Sequence, residues 1–338
     1  MSKNKIIRNQ VSLFDKLKHK FDYMHPGQRF NAQLADCFSV NEETVRRWTK
    51  GEAAIDLDII EQMCKMVNTN LHELIDLKVQ GKLNVDFSFL DNELFTFENY
   101  LGNLAKTLEA GMKLPRLTMH YSAKDLPIFY YFHYKELAAF KVYVWRKTVI
   151  CEPEFKKKAY SPEMFDNTRI MEYGTKALDS FNKIHTVEVW NDETVNSIIK
   201  QITYFVEIQD VSPVMGMVLL KQLKMLIDNI EEMAECGQKF DIENPEVKTG
   251  SFELYYNEIV LCDNSVVLDM GEHIQTFIPF QTLNLMHVSD YDFGKKSLEK
   301  VNLLQKRFDK LSQTNEGQRR KIFNKMKSGV NKAMASLA

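Results

Sequence analysis

Apolar residues recur at helical spacing through the first eighty positions of the chain. In QVSLFDKLKHKFDY, residues 10–23, Val11, Phe14, Leu17 (with Leu13) and Phe21 share one face, which predicts an amphipathic helix. His25-Pro-Gly-Gln28 breaks it. FNAQLADCF then sets Leu34, Ala35 and Phe38 on one side, and the short turn SVN follows. Asn41 can cap the next helix, EETVRRWTK, and Gly51 ends it. LDIIEQMCKMVN places Leu57, Ile60, Cys64 and Val67 on one stripe, and NLHELI adds Leu71, Leu74 and Ile75.

The pattern changes after Gln80-Gly81. LDNELFTFENYLGNLAKTLEAG predicts a helix capped near Asp91 or Asn92 and stopped by Gly111. Its seam of Leu94, Phe97, Leu101, Leu104 and Leu108 suits either pairing of two subunits or burial against its own domain. RLTMHYSA and LPIFYYFHY read as strands, followed by a helix KELAAFKVYVWRKTVI whose Lys135, Lys141, Arg146 and Lys147 are expected on a solvated face. SPEMFDNTRIMEYGTKALDSF begins with Ser at the cap and Pro at the first helical position. HTVEVW reads as a short alternating strand. NDETVNSIIKQITYFVEI and the methionine-rich SPVMGMVLLKQLKMLIDNIEEMAECG read as amphipathic helices. The segments SFELYYNEIVLCDNSVVLDM and HIQTFIPFQTLNLMHVSD predict three strands, with turns at Asp263-Asn264 and Gly271. The last segment predicts two helices split near Asn315, with Ile322, Met326, Val330, Ala333 and Leu337 on one stripe.

Composition changes this picture little. The 338 residues suffice for two or three domains, and 44% hydrophobic with 27% charged content is ordinary for a globular chain. Net charge is only -2, so a nucleic-acid surface must be local. Its distribution says more. Lys+Arg against Asp+Glu run 12 to 11 over residues 1–80, 20 to 32 over 81–294 and 12 to 3 over 295–338. The basic end is expected either to contact DNA, to dock on the acidic middle, or to form a solvated face over a folded-down apolar side. The N-terminal MSKNKIIRNQ lacks the pattern of a signal peptide, and no run approaches a membrane span, so a cytoplasmic location without membrane contact is expected. Cys37, Cys64, Cys151, Cys236 and Cys262 form no CxxC pair and are expected to be buried structural thiols.

The run from Asn31 to Ile75 resembles the Cro/repressor-type (XRE-like) helix-turn-helix domain. The resemblance rests on the small apolar pair Leu34-Ala35, the apolar turn residue Val40, the Thr44-Val45 pair, Trp48, the turn-ending Gly51 and the closing VNTNLHELI. That ending favours the Cro/repressor arrangement over MerR-like or excisionase-type winged helices. The chain departs from the family pattern in two ways: Ser39 stands where a glycine is usual, and Glu42 and Glu43 open the helix that should meet polyanionic DNA. The resemblance implies an all-α helix-turn-helix domain over 1–80; beyond it, the alternation of helices with hairpins predicts a linker helix (81–112) and an α+β regulatory or dimerisation domain (113–338) with antiparallel strands and basic C-terminal helices. The resemblance also implies that Asn31, Gln33, Asn41, Glu43, Thr44, Arg46, Arg47 and Lys50 meet double-stranded DNA, the protein acting as a homodimer. Glu42 suits the positive end of the helix dipole. Glu43 on the outward face could accept a hydrogen bond from cytosine N4, and arginine pairs with guanine.

Elsewhere the chain offers no catalytic or metal motif: there is no Walker-type loop, GxGxxG, HExxH or GxSxG, and no cofactor is expected. The cluster Phe129, Tyr130, Tyr131, Phe132, Tyr134, Phe140, Tyr143 and Trp145 reads as a sheet core, or else as a stacking platform or a recess for a planar ligand. The expectation is a DNA-binding transcriptional regulator and not an enzyme, with an effector-sensing or oligomerisation domain. Two other readings stay open: a ligand or nucleotide sensor using the helical N-terminus as its output, and a phage- or defence-related factor whose N-terminal helices bind protein.

Overall fold

A computed structural model describes residues 8–75, 83–87, 95–114, 116–259, 262–280 and 283–338. The chain divides into two compact units, Met1–Asn84 and Val85–Ala338. The predicted cap at Asp91 or Asn92 and Leu94 of the seam lie outside the described residues.

In the first unit the described residues form helices α1 (Arg8–Met24), α2 (Phe30–Cys37), α3 (Glu42–Thr49), α4 (Leu57–Met66) and α5 (Leu71–Leu74). Phe14, Leu17 and Phe21 of α1 pack with Phe30, Leu34 and Ala35 of α2 and with Val45 and Trp48 of α3. Two expectations fail here. Leu57 is 67% exposed, because it is the first residue of α4 and the buried stripe runs instead through Met63, Cys64 and Val67. Cys37 is exposed, being the last residue of α2, and Cys151 is exposed as well.

The second unit is a mixed eight-stranded sheet with helices. Its strands are β1 (Thr118–Ala123), β2 (His185–Trp190), β3 (Gln238–Asp241), β4 (Asn244–Tyr256), β5 (Ser265–Asp269), β6 (Ile274–Phe280), β7 (Asn284–Val288) and β8 (Asp309–Lys310). They run in the order β3-β4-β2-β1-β5-β6-β7, with β8 beside β4. The strands are not all antiparallel as expected: β1, β2 and β4 are mutually parallel. Parallel neighbours require long crossovers, which helices supply. Between β1 and β2 lie α7 (Ile128–Tyr131), α8 (Lys135–Thr148) and α9 (Ile170–Lys183); between β2 and β4 lie α10 (Asp192–Glu207) and α11 (Pro213–Cys236), followed by β3. For the same reason β2 does not alternate; all but its first residue are buried, as in strands covered on both faces. LPIFYYFHY is the short helix α7 and not a strand, and β7 adds a fourth strand to the three expected beyond β3. Helix α6 (Phe97–Met112) turns its seam inward on α9, and Phe97 stacks on Trp145 with ring centres 5.9 Å apart.

Charged side chains are fitted into this core. Glu188, fully buried on β2, accepts from the Tyr130 hydroxyl (2.9 Å) and Trp190 Nε1 (2.8 Å). Burial pushes its carboxyl up and pulls buried Lys239 down to about 7, the two opposite charges partly offsetting this. Lys239 donates to the Phe181 carbonyl (2.6 Å) and lies 4.0 Å from the centre of the Phe181 ring. The expected solvated basic face of α8 holds at Lys135, which is exposed, and is corrected for the other three. Lys141 is 1% exposed, paired with Asp125 and set over the Tyr131 and Trp145 rings. Lys147 pairs with Asp210 at 2.6 Å, and Arg146 pairs with Glu152 and Glu154.

The C-terminal helices α12 (Tyr291–Gln305) and α13 (Glu316–Leu337) account for the basic end. Ile322, Met326, Val330 and Ala333 are buried, and α13 packs on α10 and α11. Lys325 bonds Asp192 of α10 at 2.7 Å, and Lys327 bonds Glu231 (2.7 Å) and Asp228 (3.0 Å) of α11. Buried Arg319 donates to the carbonyls of Leu311 and Thr314. Part of the basic excess thus answers the acidic middle.

Two histidines with buried ring nitrogens predict a loss of stability of the second unit in acid. His120 Nδ1 and His133 Nε2 are buried without a hydrogen-bond partner, and burial lowers both rings to about 4 from 6.5. An unfolded chain takes up these protons near 6.5 while the folded chain refuses them, so stability falls as pH drops from 6.5 toward 4. The loss is on the order of 2 kcal/mol per histidine. Urea titrations at stepped pH should show this slope shrinking in the double variant His120→Gln, His133→Gln; an unchanged slope contradicts it.

Candidate nucleic-acid interface

Helix α3 has only two buried side chains, Val45 and Trp48, and their burial sets which face looks outward. Trp48 meets Phe38 edge-on, with ring centres 6.3 Å apart. At the helix start Asn41 Oδ1 accepts from the Thr44 backbone N–H (2.7 Å) and the Thr44 hydroxyl (2.8 Å). At its end Gly51 turns the chain at φ +66°. There Gln10 of α1, nearly buried, donates through Nε2 to the carbonyls of Trp48 (2.8 Å) and Ala53 (2.7 Å). A single α1 side chain thus holds both the last turn of α3 and the loop beyond it.

The turn between α2 and α3 explains Ser39. Its φ is +51°, the left-handed conformation that glycine takes most easily, so a glycine would fit there without a Cβ penalty.

The structure brings half of the eight predicted residues onto one side. Glu43, Arg46, Arg47 and Lys50 lie on the outward face of α3, with Glu43, Arg47 and Lys50 exposed and Arg46 half-buried. Asn41 and Thr44 are occupied with each other at the helix cap. Asn31 and Gln33 sit in the first turn of α2, Asn31 half-buried and Gln33 exposed.

Ion pairs sort the charges. Glu43 accepts from Arg46 Nε at 2.6 Å and also from its Nη2. Hydrogen bonding from Arg46 holds the Glu43 carboxyl below its ordinary value and raises the guanidinium. Arg46 Nη2 also lies 3.6 Å from Glu52. Glu42, expected at the helix dipole, is in the first turn of α3 and accepts from Arg29 Nη2 at 2.8 Å. Among the described residues no ion pair holds Arg47 or Lys50. The face therefore carries two free cations beside an arginine clasped by acids.

Sequence reasoning passed over Gln10, Arg29 and Glu52. Arg29 stands directly before α2 and could have been noticed as a cation beside the turn. Gln10 had no local signal, since its partners are 38 and 43 residues away.

No helix among the described residues is long and apolar enough to cross a membrane, and no group of three or more His, Cys, Asp and Glu among them could hold a metal. Compared with the models of known protein families the chain matches none, and no curated protein matches it.

Two substitutions test this frame by thermal or urea unfolding. Ser39→Gly should stabilise the first unit by about 0.5 kcal/mol, relief of the left-handed strain exceeding the added freedom of the unfolded chain. Gln10→Leu should destabilise it by about 2 kcal/mol, since the Ala53 carbonyl loses the Gln10 donor and the Trp48 carbonyl is left with the Gly51 N–H alone. A neutral Gln10→Leu would show that α3 is held without that contact.

Proposed function

We propose that the chain is a sequence-specific DNA-binding transcriptional regulator, with α2 and α3 as a helix-turn-helix and α3 lying in the major groove. The observation that carries this reading is the outward face of α3: Arg47 and Lys50 in no ion pair among the described residues, and Arg46 held ready by Glu43. Unpaired cations meet phosphates, which dominate affinity. Arg46 in the DNA-free protein is oriented by an acid that can release it, or that can itself accept from cytosine N4. The N-terminus of α2, with Asn31 and Gln33, suits a neighbouring phosphate. Near-zero charge over residues 1–80 implies weak nonspecific binding, and a homodimer on a two-fold site, with half-sites about 34 Å apart, would make up the affinity. The second unit then serves as the effector-sensing or oligomerisation part.

Selection from a random duplex library with the full-length protein tests the reading. An enriched motif is expected. On the selected duplex, Arg47→Ala and Lys50→Ala should each weaken binding about tenfold, and loss of a phosphate contact should lower the salt slope by about 1. Glu43→Gln should strengthen binding to unrelated DNA severalfold and narrow the gap to the selected site. A selection that enriches nothing, with the chain retained by a protein partner, would favour the protein-interaction reading.

A further inference from the structure

Between α6 and one face of the sheet the second unit holds a cavity of about 230 Å³. Alternation along the strands builds it: Met119 and Tyr121 of β1 and Val266 and Leu268 of β5 face it, while His120 and Ser122 face the opposite side. The lining is mainly apolar and rich in rings, Phe129, Trp145 and Phe277 among them. It is not uniformly apolar. Tyr100 and Tyr121 line it too, and neither hydroxyl has a hydrogen-bond partner among the described residues. Burial pushes the Tyr100 phenol up to about 12 and Tyr121 higher still, the latter also raised by Tyr100 and Asp125 nearby, so both stay neutral donors.

The charges around the cavity are already matched. Asp125, the one charged residue among the described residues of the lining, accepts from the Tyr131 hydroxyl at 2.9 Å through one oxygen and from Lys141 through the other. Asn264 spends its carbonyl on the backbone N–H groups of Lys124 (2.8 Å) and Asp125 (3.0 Å). Among the described residues the lining contains no Lys or Arg, so a phosphate would find no counter-charge there. That argues against the nucleotide version of a sensor.

We infer that this cavity is a binding site for a neutral, ring-containing small molecule whose carbonyl or ring nitrogen accepts a hydrogen bond from Tyr100 or Tyr121. Size agrees with this class. A cavity of about 150 Å³ lined by aliphatic and aromatic groups takes up benzene, so this one suits roughly nine or ten non-hydrogen atoms. The aromatic walls favour a planar ligand through offset and edge-on ring contacts. The inference extends the effector-sensing reading of the second unit but stands on that unit alone. Probe binding and DNA binding are measured separately, and either can fail while the other holds.

The test uses the full chain and three groups of probes of similar size: acetophenone, which has an acceptor; ethylbenzene, which has none; and the charged phenylacetate and phenethylammonium. Affinities come from ligand-observed NMR or calorimetry. Acetophenone should bind about fivefold tighter than ethylbenzene, the effect of one hydrogen bond to an otherwise unpartnered hydroxyl. Both charged probes should bind at least about tenfold more weakly than acetophenone, because a buried charge without a partner is disfavoured. The double variant Tyr100→Phe, Tyr121→Phe should abolish the preference for acetophenone over ethylbenzene. Val266→Phe or Leu104→Trp, each checked for an unchanged cooperative melt, should fill the space and weaken both neutral probes. No binding of any probe up to its solubility, a tighter charged probe, or a preference that survives loss of both hydroxyls would overturn the inference.

Discussion

The constraint on which the candidate interface depends is the burial of Val45 and Trp48. A helix with only two inward side chains has its rotation set by them, and each contributes roughly 1.5–3 kcal/mol by leaving water. The rest follows from that rotation. Asn41 closes one end, Gln10 the other, and the four charged residues at positions 43, 46, 47 and 50 are left outside. Two acids at the start of such a helix look like a defect for DNA binding until their partners are known. Glu42 is engaged with Arg29 beside the turn, and Glu43 orients Arg46. Neither leaves a bare negative charge at the surface that would meet phosphate.

In the second unit the organising element is β2, parallel to both neighbours and buried along nearly its whole length. A carboxylate in such a strand must be satisfied, and Glu188 is, by a tyrosine and a tryptophan, with Lys239 as the nearby opposite charge. Removing one member of such a buried set strands the others at a cost of several kcal/mol. The same economy recurs at Lys141 and at α13, where cations are answered by acids of neighbouring helices. Part of the charge asymmetry along the chain is therefore neutralised within this unit.

Local signals carried far in the first unit and less far in the second. The helices α1 to α4, the cap at Asn41 and the stop at Gly51 follow from short-range features, and all are in the structure. Leu57 and Cys37 were misplaced because a residue at a helix end can share the apolar spacing and still lie beyond the packed surface. In the second unit LPIFYYFHY has strand-like residues, yet it forms α7, whose Tyr130 hydroxyl reaches Glu188, 58 residues on. Lys141 looks like a surface lysine in its own helix, and only Asp125 and the rings of Tyr131 and Trp145 make its burial intelligible. Parallel pairing was illegible for the same reason, since it depends on which distant strands the helical crossovers bring together. At the interface the residue types were readable, while the division into clasped Arg46 and free Arg47 and Lys50 needed coordinates.

The central claim is that the outward face of α3 meets DNA. Hydrogen–deuterium exchange of the full-length protein, with and without a duplex enriched by selection, reads this directly. The account predicts slower exchange centred on the backbone amides of residues 31–33 and 41–50, absent with an unrelated duplex at the same salt. Protection confined to the second unit, or equal protection by any duplex, would contradict it.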